Sequence, residues 1–309
     1  MQIWMLSLAM LASTLRIATP IIYAALGSVM SERGGVINIG IEGTMLLACF
    51  TAVVGAYYWS PWVGVLIAMA TGGLMALIHA YLSVTIKTNQ IISATAINIF
   101  AVGLPNLVVP IIWKGHHAVS PVVPRIPDVR LPIIANLPIV GPVLGHQNPL
   151  VYVALILVPV LHFILFKTRF GLRLRAVGEH PRAADTVGVN VARMRYIGVI
   201  SGGILAGMGG AFLSIGYMSQ YSAAMTQGRG FMGLAAMIFG NWKPAGALLA
   251  CLIFGFADAF QAAAQSARVL PISPRLLLSL PYIMTLIALA GLVGKSIPPA
   301  ADGKPYEKD

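Results

Sequence analysis

The sequence predicts an all-α fold: a polytopic transmembrane helix bundle of about eight to ten spans, nine favoured, with no soluble domain. Three observations predict it. Of the 309 residues, 58% are apolar and only 9% are Asp, Glu, Lys or Arg, against about a quarter charged in an ordinary soluble domain. Long apolar runs recur at lengths close to the roughly 20 helical residues that a hydrocarbon core about 30 Å thick requires. The 20 Lys and Arg outnumber the 9 acids, and they concentrate in one loop. A soluble enzyme, a disordered tail and a disulfide scaffold are excluded. A nucleic-acid partner is disfavoured, because most of the chain would be insoluble in water.

The runs fall near 3–30, 36–58, 61–86, 90–113, 149–166, 196–218, 226–242, 244–264 and 276–294. Backbone groups in lipid must pair internally, so continuous runs of this length are helices rather than barrel strands. The first positive charge is Arg16. The first run therefore lacks the basic stretch that precedes a cleaved signal, and reads as a retained span. The run 226–242 is short and opens with Gly228, Arg229 and Gly230, so a re-entrant segment is its alternative reading. Residues 1–309 form a single membrane domain.

Orientation follows from the cations. The loop 167–195 carries seven Lys and Arg against Glu179 and Asp185. Placing it in the cytoplasm puts 13 of the 20 positives on that side and six outside, with Arg16 inside the first span and the N-terminus outside. A re-entrant 226–242 changes the split to 11 against 8. The same basic loop suits anionic membrane lipid. On the other side, 114–148 is rich in proline (121, 124, 127, 132, 138 and 142) and reads as an external loop of extended chain and short turns. His116 and His117 have no spaced third ligand, so a solvated loop is preferred to a metal site. Cys49 and Cys251, each in an apolar run, read as buried thiols.

No catalytic motif survives inspection. Gly294-Lys295-Ser296 matches the end of a phosphate-binding loop, but Leu289 stands where the first glycine belongs and Pro298-Pro299 would stop the helix. No catalytic residue, metal or cofactor is expected. Small residues at Gly198, Gly202, Ala206 and Gly210, with Gly203 and Gly207 alongside, predict close helix packing. At 31–43, SERGGVINIGIEG brings polar side chains and glycines into a span together, which predicts a broken helix facing protein or a water-filled cavity. Glu42 reads as a packed neutral acid, an ion-pair partner of Arg16, or part of a translocation path. Asn38, Asn98, Asn106, Asn241, Asp258 and Gln261 are further polar residues at membrane depth. Each alone fits an interhelical hydrogen bond; as a group they predict a hydrated route for a polar solute. In the basic loop, a Gly-Glu-His-Pro turn precedes a short helix of small and apolar residues that needs a partner.

The loop FGLRLRAVGEHPRAADTVGVNVARMRY resembles the coupling loop of bacterial ABC-importer permeases of the branched-chain amino acid, simple sugar and nucleoside group. SERGGVINIGIEGTMLL and GRGFMGLAAMIFGNWKPAGALL resemble two further segments of that family, in order, closest to its nucleoside and simple-sugar branch. The resemblance implies a multi-pass inner-membrane subunit that forms a pore with a second permease, identical or paralogous. Two cytoplasmic ATP-binding subunits would supply energy, and an extracytoplasmic solute-binding protein would deliver a nucleoside or similar polar solute. The loop positions Gly178, Glu179, His180, Pro181, Arg182, Ala183, Ala184 and Gly188 would then dock on the ATPase. Asn38 and Glu42 would lie near the pathway. A ribose- or galactose-type sugar is the alternative solute. An ion-coupled secondary transporter, with Glu42 and Asp258 as coupling acids, is the alternative mechanism.

Overall fold

The computed structural model describes residues 2–137, 140–267, 283 and 296–307. Four helices come first: α1 (Gln2–Glu32), α2 (Ile41–Tyr58), α3 (Pro61–Ala80, prolonged by a π-helical turn at Tyr81–Thr85) and α4 (Gln90–Ile112). The external loop holds only the short α5 (Pro132–Ala135) and α6 (Val140–Leu144) and a two-residue strand pair, Val129–Arg130 with His146–Gln147. Then come α7 (Pro149–Lys167), the short α8 (Arg169–Glu179) and α9 (Pro181–Thr186), α10 (Val191–Ala211, ending in a π-helical turn at Phe212–Met218), α11 (Arg229–Phe239) and α12 (Pro244–Ala267). Seven of the described helices are long and apolar enough to cross a membrane: α1, α2, α3, α4, α7, α10 and α12. Of the expected ninth run, 276–294, all but residue 283 lies outside the described residues.

Local chemistry sets where the helices begin. Ser60, Asn89, Asn148, Thr168 and Asn190 accept first-turn N–H groups of α3, α4, α7, α8 and α10. Pro61, Pro149 and Pro181 occupy first-turn positions, where a missing N–H costs nothing. The centre is α10 packed on α1, α2 and α3. A methyl group added at Gly202 would strike the carbonyl of Gly27, one at Gly203 that of Gly72, and one at Gly207 that of Ala68. The stripe of small residues thus lets backbone lie on backbone, the contact that substitutes for a hydrophobic drive in lipid.

The break expected near 31–43 is present: residues 33–40 are non-helical between α1 and α2. Side chains of α3 and α4 satisfy the exposed backbone. Gln90 accepts the Ile37 N–H at 2.8 Å, His79 Nε2 meets the Ile37 carbonyl at 2.9 Å, and Asn98 donates to the Ile39 carbonyl at 3.2 Å while accepting from Gly43 N at 2.7 Å.

Segment 226–242 differs from the full span expected. Its helix α11 has 11 residues, about 16 Å long, or roughly half the hydrocarbon core. Residues 219–225 instead pair with the external loop, through Ser120 N to the Tyr221 carbonyl at 2.9 Å and Val123 N to the Ser219 carbonyl at 2.9 Å. Helix starts only at Arg229, after Gly228 in the left-handed region (φ +79°). Its far end still reaches the basic side: Arg33 donates to the carbonyls of Trp242 at 2.9 Å and Asn241 at 3.2 Å. Arg33, α8, α9, Lys243 and residues 296–307 therefore share one end of the bundle, as the charge count requires.

Candidate functional site

At the opposite, outer half of the bundle lies a cavity of about 730 Å³. Four elements build it: Arg16 and Pro20 from α1, Phe212 and Tyr217 from the π-helical end of α10, Gln227 and Arg229 from the start of α11, and Asp258 and Gln261 from α12. At 1.5 Å per residue, Arg16 lies about 24 Å from the cytoplasmic end of α1 and Asp258 about 21 Å from that of α12. The π turn rotates Phe212 and Tyr217 to the same wall, their rings stacked at 6.3 Å and 26°. Such turns recur at functional sites because they redirect side chains without ending a helix.

Charge in the cavity is partly tied down. Arg16 Nε donates to Gln147 Oε1 at 2.9 Å, and Arg229 Nη1 donates to the Thr226 carbonyl at 3.3 Å. The Asp258 carboxylate stands within electrostatic range of Arg229. The arrangement offers flat aromatic surface, one carboxylate acceptor, two guanidinium donors and two amides. That set can hold a small solute having both a planar apolar part and hydroxyl or amide groups.

The residues singled out in the sequence divide between sites. Asp258 and Gln261 line this cavity. Glu42 lies behind it, accepting the N–H of Gly228 at 2.9 Å and of Gly230 at 2.6 Å, so its carboxylate caps the buried start of α11. The ion pair with Arg16 weighed from the sequence is not made, since Arg16 turns to Gln147. Asn98 braces the broken segment. Asn38 is 1% exposed with its Oδ1 unpartnered, and does not line the cavity. Asn241 sits at the cytoplasmic end, in the left-handed region (φ +53°), where its side chain accepts the N–H of Ile297 at 3.2 Å. Arg229, counted as an external charge in the sequence, is instead a cavity residue. Gln227, Phe212 and Tyr217 carried no sequence signal, whereas Arg16, a cation within an apolar span, carried a strong one. Among the described residues no group of three metal-ligating side chains occurs.

At the cytoplasmic end, α8 and α9 meet at His180. Gly178 and Ala184 are buried, and a methyl at Gly178 would strike the Arg33 carbonyl. Glu179, His180, Arg182, Ala183 and Gly188 are exposed, Pro181 half-buried. Val187, which the motif did not single out, is the apolar knob of this face at 78% exposure. Burial pulls the Arg33 guanidinium below its ordinary value; nearby Glu179 opposes this and Arg175 adds to it.

Known proteins match this sequence along most of its length. The chain is 39% identical over 308 residues to the guanosine ABC transporter permease protein NupQ of Bacillus subtilis, covering 96% of this chain and 95% of that protein. It is 36% identical to the putative glucose ABC transporter permease protein TsgC13 of Haloferax volcanii, covering 83% and 78%. It is 28% identical to NupP, a second guanosine ABC transporter permease protein of Bacillus subtilis, covering 78% and 70%. No solved structure matches. Residues 10–289 match the family described as branched-chain amino acid transport system / permease component. With a helical membrane bundle and this match over most of its length, the chain belongs to that permease family.

Proposed function

We propose that this chain is the pore-forming permease of an ABC importer that moves nucleosides across a bacterial inner membrane. It works with a second permease, two cytoplasmic ATP-binding subunits and an extracytoplasmic solute-binding protein. The observation that carries the solute is the cavity: the exposed Tyr217 ring, backed by the buried Phe212 ring, offers a platform for a base, and Asp258 and Gln261 offer partners for ribose hydroxyls. The 39% identity to a guanosine permease supports the same solute. Two different guanosine permeases in one organism favour a paralogous second permease over a second copy of this chain. The likeness to a putative glucose permease keeps a simple sugar as the second reading. A sugar uses the hydrogen-bonding groups and can lay only a C–H face on the ring, whereas a planar base stacks on it.

In this reading the exposed loop residues Glu179, His180, Arg182, Ala183, Val187 and Gly188 dock on the ATPase, while Gly178, Pro181 and Ala184 shape the loop. Uptake of radiolabelled guanosine and glucose by cells carrying the complete transporter tests the solute. Guanosine uptake that unlabelled adenosine inhibits and glucose does not is the expected result; the reverse pattern selects the sugar. Val187→Glu is expected to abolish uptake and ATPase co-purification with the permease still inserted. Normal uptake with the ATPase bound would overturn the docking role.

A further inference from the structure

Residues 296–307 lie across the cytoplasmic end as a strap joining elements far apart in sequence. At its start, Ser296 donates to the Ile238 carbonyl at 2.9 Å and Ile297 N donates to Asn241 Oδ1 at 3.2 Å. Both partners are at the cytoplasmic end of half-helix α11. In the middle, Ala300 N donates to Glu179 Oε2 at 3.2 Å and Ala301 N to the Gly178 carbonyl at 2.9 Å, so the strap is sewn to α8. At its end, Arg195 of α10 donates to the Lys304 carbonyl at 2.9 Å and the Tyr306 hydroxyl donates to Asp185 of α9 at 2.9 Å. These six bonds along a dozen residues hold the segment in place.

Between strap and loop runs an open groove of about 760 Å³, with Glu179, Pro181 and Arg182 on one wall and Lys304, Pro305 and Tyr306 on the other. Both signs of charge appear on both walls, because Glu307 adds to the strap side. A binding surface for lipid headgroups would be uniformly basic. Mixed charge beside proline and tyrosine suits a polar ridge of a protein partner. The groove is continuous with the exposed loop face proposed above to dock on the ATPase.

We propose that the 296–307 strap completes the ATPase-docking face and ties that face to half-helix α11. This rests on the coupling-loop reading. The partner presses on a composite surface, and its movement passes through the strap to Asn241 and so along α11 to Arg229 in the cavity. Its bonds to Glu179 and Asn241 join the loop to the cytoplasmic end of α11, beside the Arg33 turn, which packs on Gly178 and bonds to the Asn241 and Trp242 carbonyls.

The test uses the assembled transporter in membranes. A photo-crosslinking residue is placed at Pro305 or, as a control, at Val187. Adducts to the ATPase from both positions are expected. Adducts from 187 alone overturn the strap; adducts from neither overturn the coupling loop as well. Two variants then separate docking from transmission. A chain ending at Pro299 is expected to lose at least about tenfold in ATPase co-purification. Asn241→Gly, which keeps the left-handed backbone and removes the acceptor, is expected to retain ATP hydrolysis while uptake falls at least about tenfold. Wild-type uptake in both variants would overturn the proposal.

Discussion

The Glu42 carboxylate sits on the first turn of α11, 2.6 Å from the N–H of Gly230, although 188 residues separate the two in the chain. A helix that starts at membrane depth has no water for its free N–H groups. Glu42 takes two of them, and its negative charge meets the positive end of the helix dipole. Glu42→Ala is therefore expected to destabilise the permease by about 1–3 kcal/mol, the cost of stranding buried donors, and to abolish uptake. Glu42→Gln, which keeps one acceptor oxygen, is expected to fall between. Thermal unfolding in detergent, run beside uptake, checks both; a wild-type melt for the alanine variant would remove the capping role.

Asp258 faces the cavity with Arg229 as its electrostatic neighbour. Removing its charge while keeping its shape isolates its part in binding. Asp258→Asn should weaken solute uptake by at least about tenfold through loss of a charge-assisted hydrogen bond. The half-saturating solute concentration should rise while ATPase association stays unchanged. Tyr217→Ala should impair nucleoside uptake more than any residual sugar uptake, since a planar base covers more of the ring face than the C–H face of a sugar does.

The contact of Gly203 with Gly72 leaves no space for a side chain. Gly203→Val is expected to separate α10 from α3 and cost about 1–3 kcal/mol, read as a lower melting temperature and reduced yield. Ser201→Val, half-buried two residues away, should change either property far less.

The strap carries a pH-sensitive contact. Burial pushes the Asp302 carboxyl up to about 7, while Glu32, the Gly303 N–H and Arg195 each pull it down. Glu32 in turn accepts the Trp242 indole N–H at 2.7 Å. A carboxyl raised above its unfolded value near 3.9 keeps its proton in the folded state over a pH range in which the unfolded chain has released it. Its contribution is therefore complete below about pH 4 and is lost as pH rises through about 7. Protease cleavage within 296–307 should accelerate between about pH 5.5 and pH 8.5, and Asp302→Asn should flatten that dependence. An unchanged profile in the variant would assign the pH effect elsewhere.

Much of the bundle was legible because lipid imposes simple rules. Apolar length marked the long spans, loop cations oriented them, and small residues four apart from Gly198 to Gly210 marked where backbones meet. The break before α2 was readable too, since Asn38, Gly40 and Glu42 cannot enter lipid together without a partner. What was hidden depends on long-range pairing. Nothing near Arg229 states that Glu42 will cap it, so 226–242 reads as a span by composition and becomes a half-helix only in three dimensions. The cavity was half visible: Asp258 and Gln261 interrupt an apolar run, but Phe212 and Tyr217 look like ordinary span residues until a π turn aligns them. The backbone bonds of Asn98 and Asn241, to Ile39 and Gly43 and to Ile297, were not legible either, because polarity alone does not distinguish a bond to backbone from one to solute.

The short reach of α11 has a volumetric consequence. Gln227 and Arg229, where the helix stops short, line the chamber. In the proposed reading, a solute held there and further turns of α11 would compete for one space. Gly228, whose left-handed φ of +79° strains any other residue, is then the stop that keeps the chamber open, and a substitution there that lets the helix grow would shut it from within.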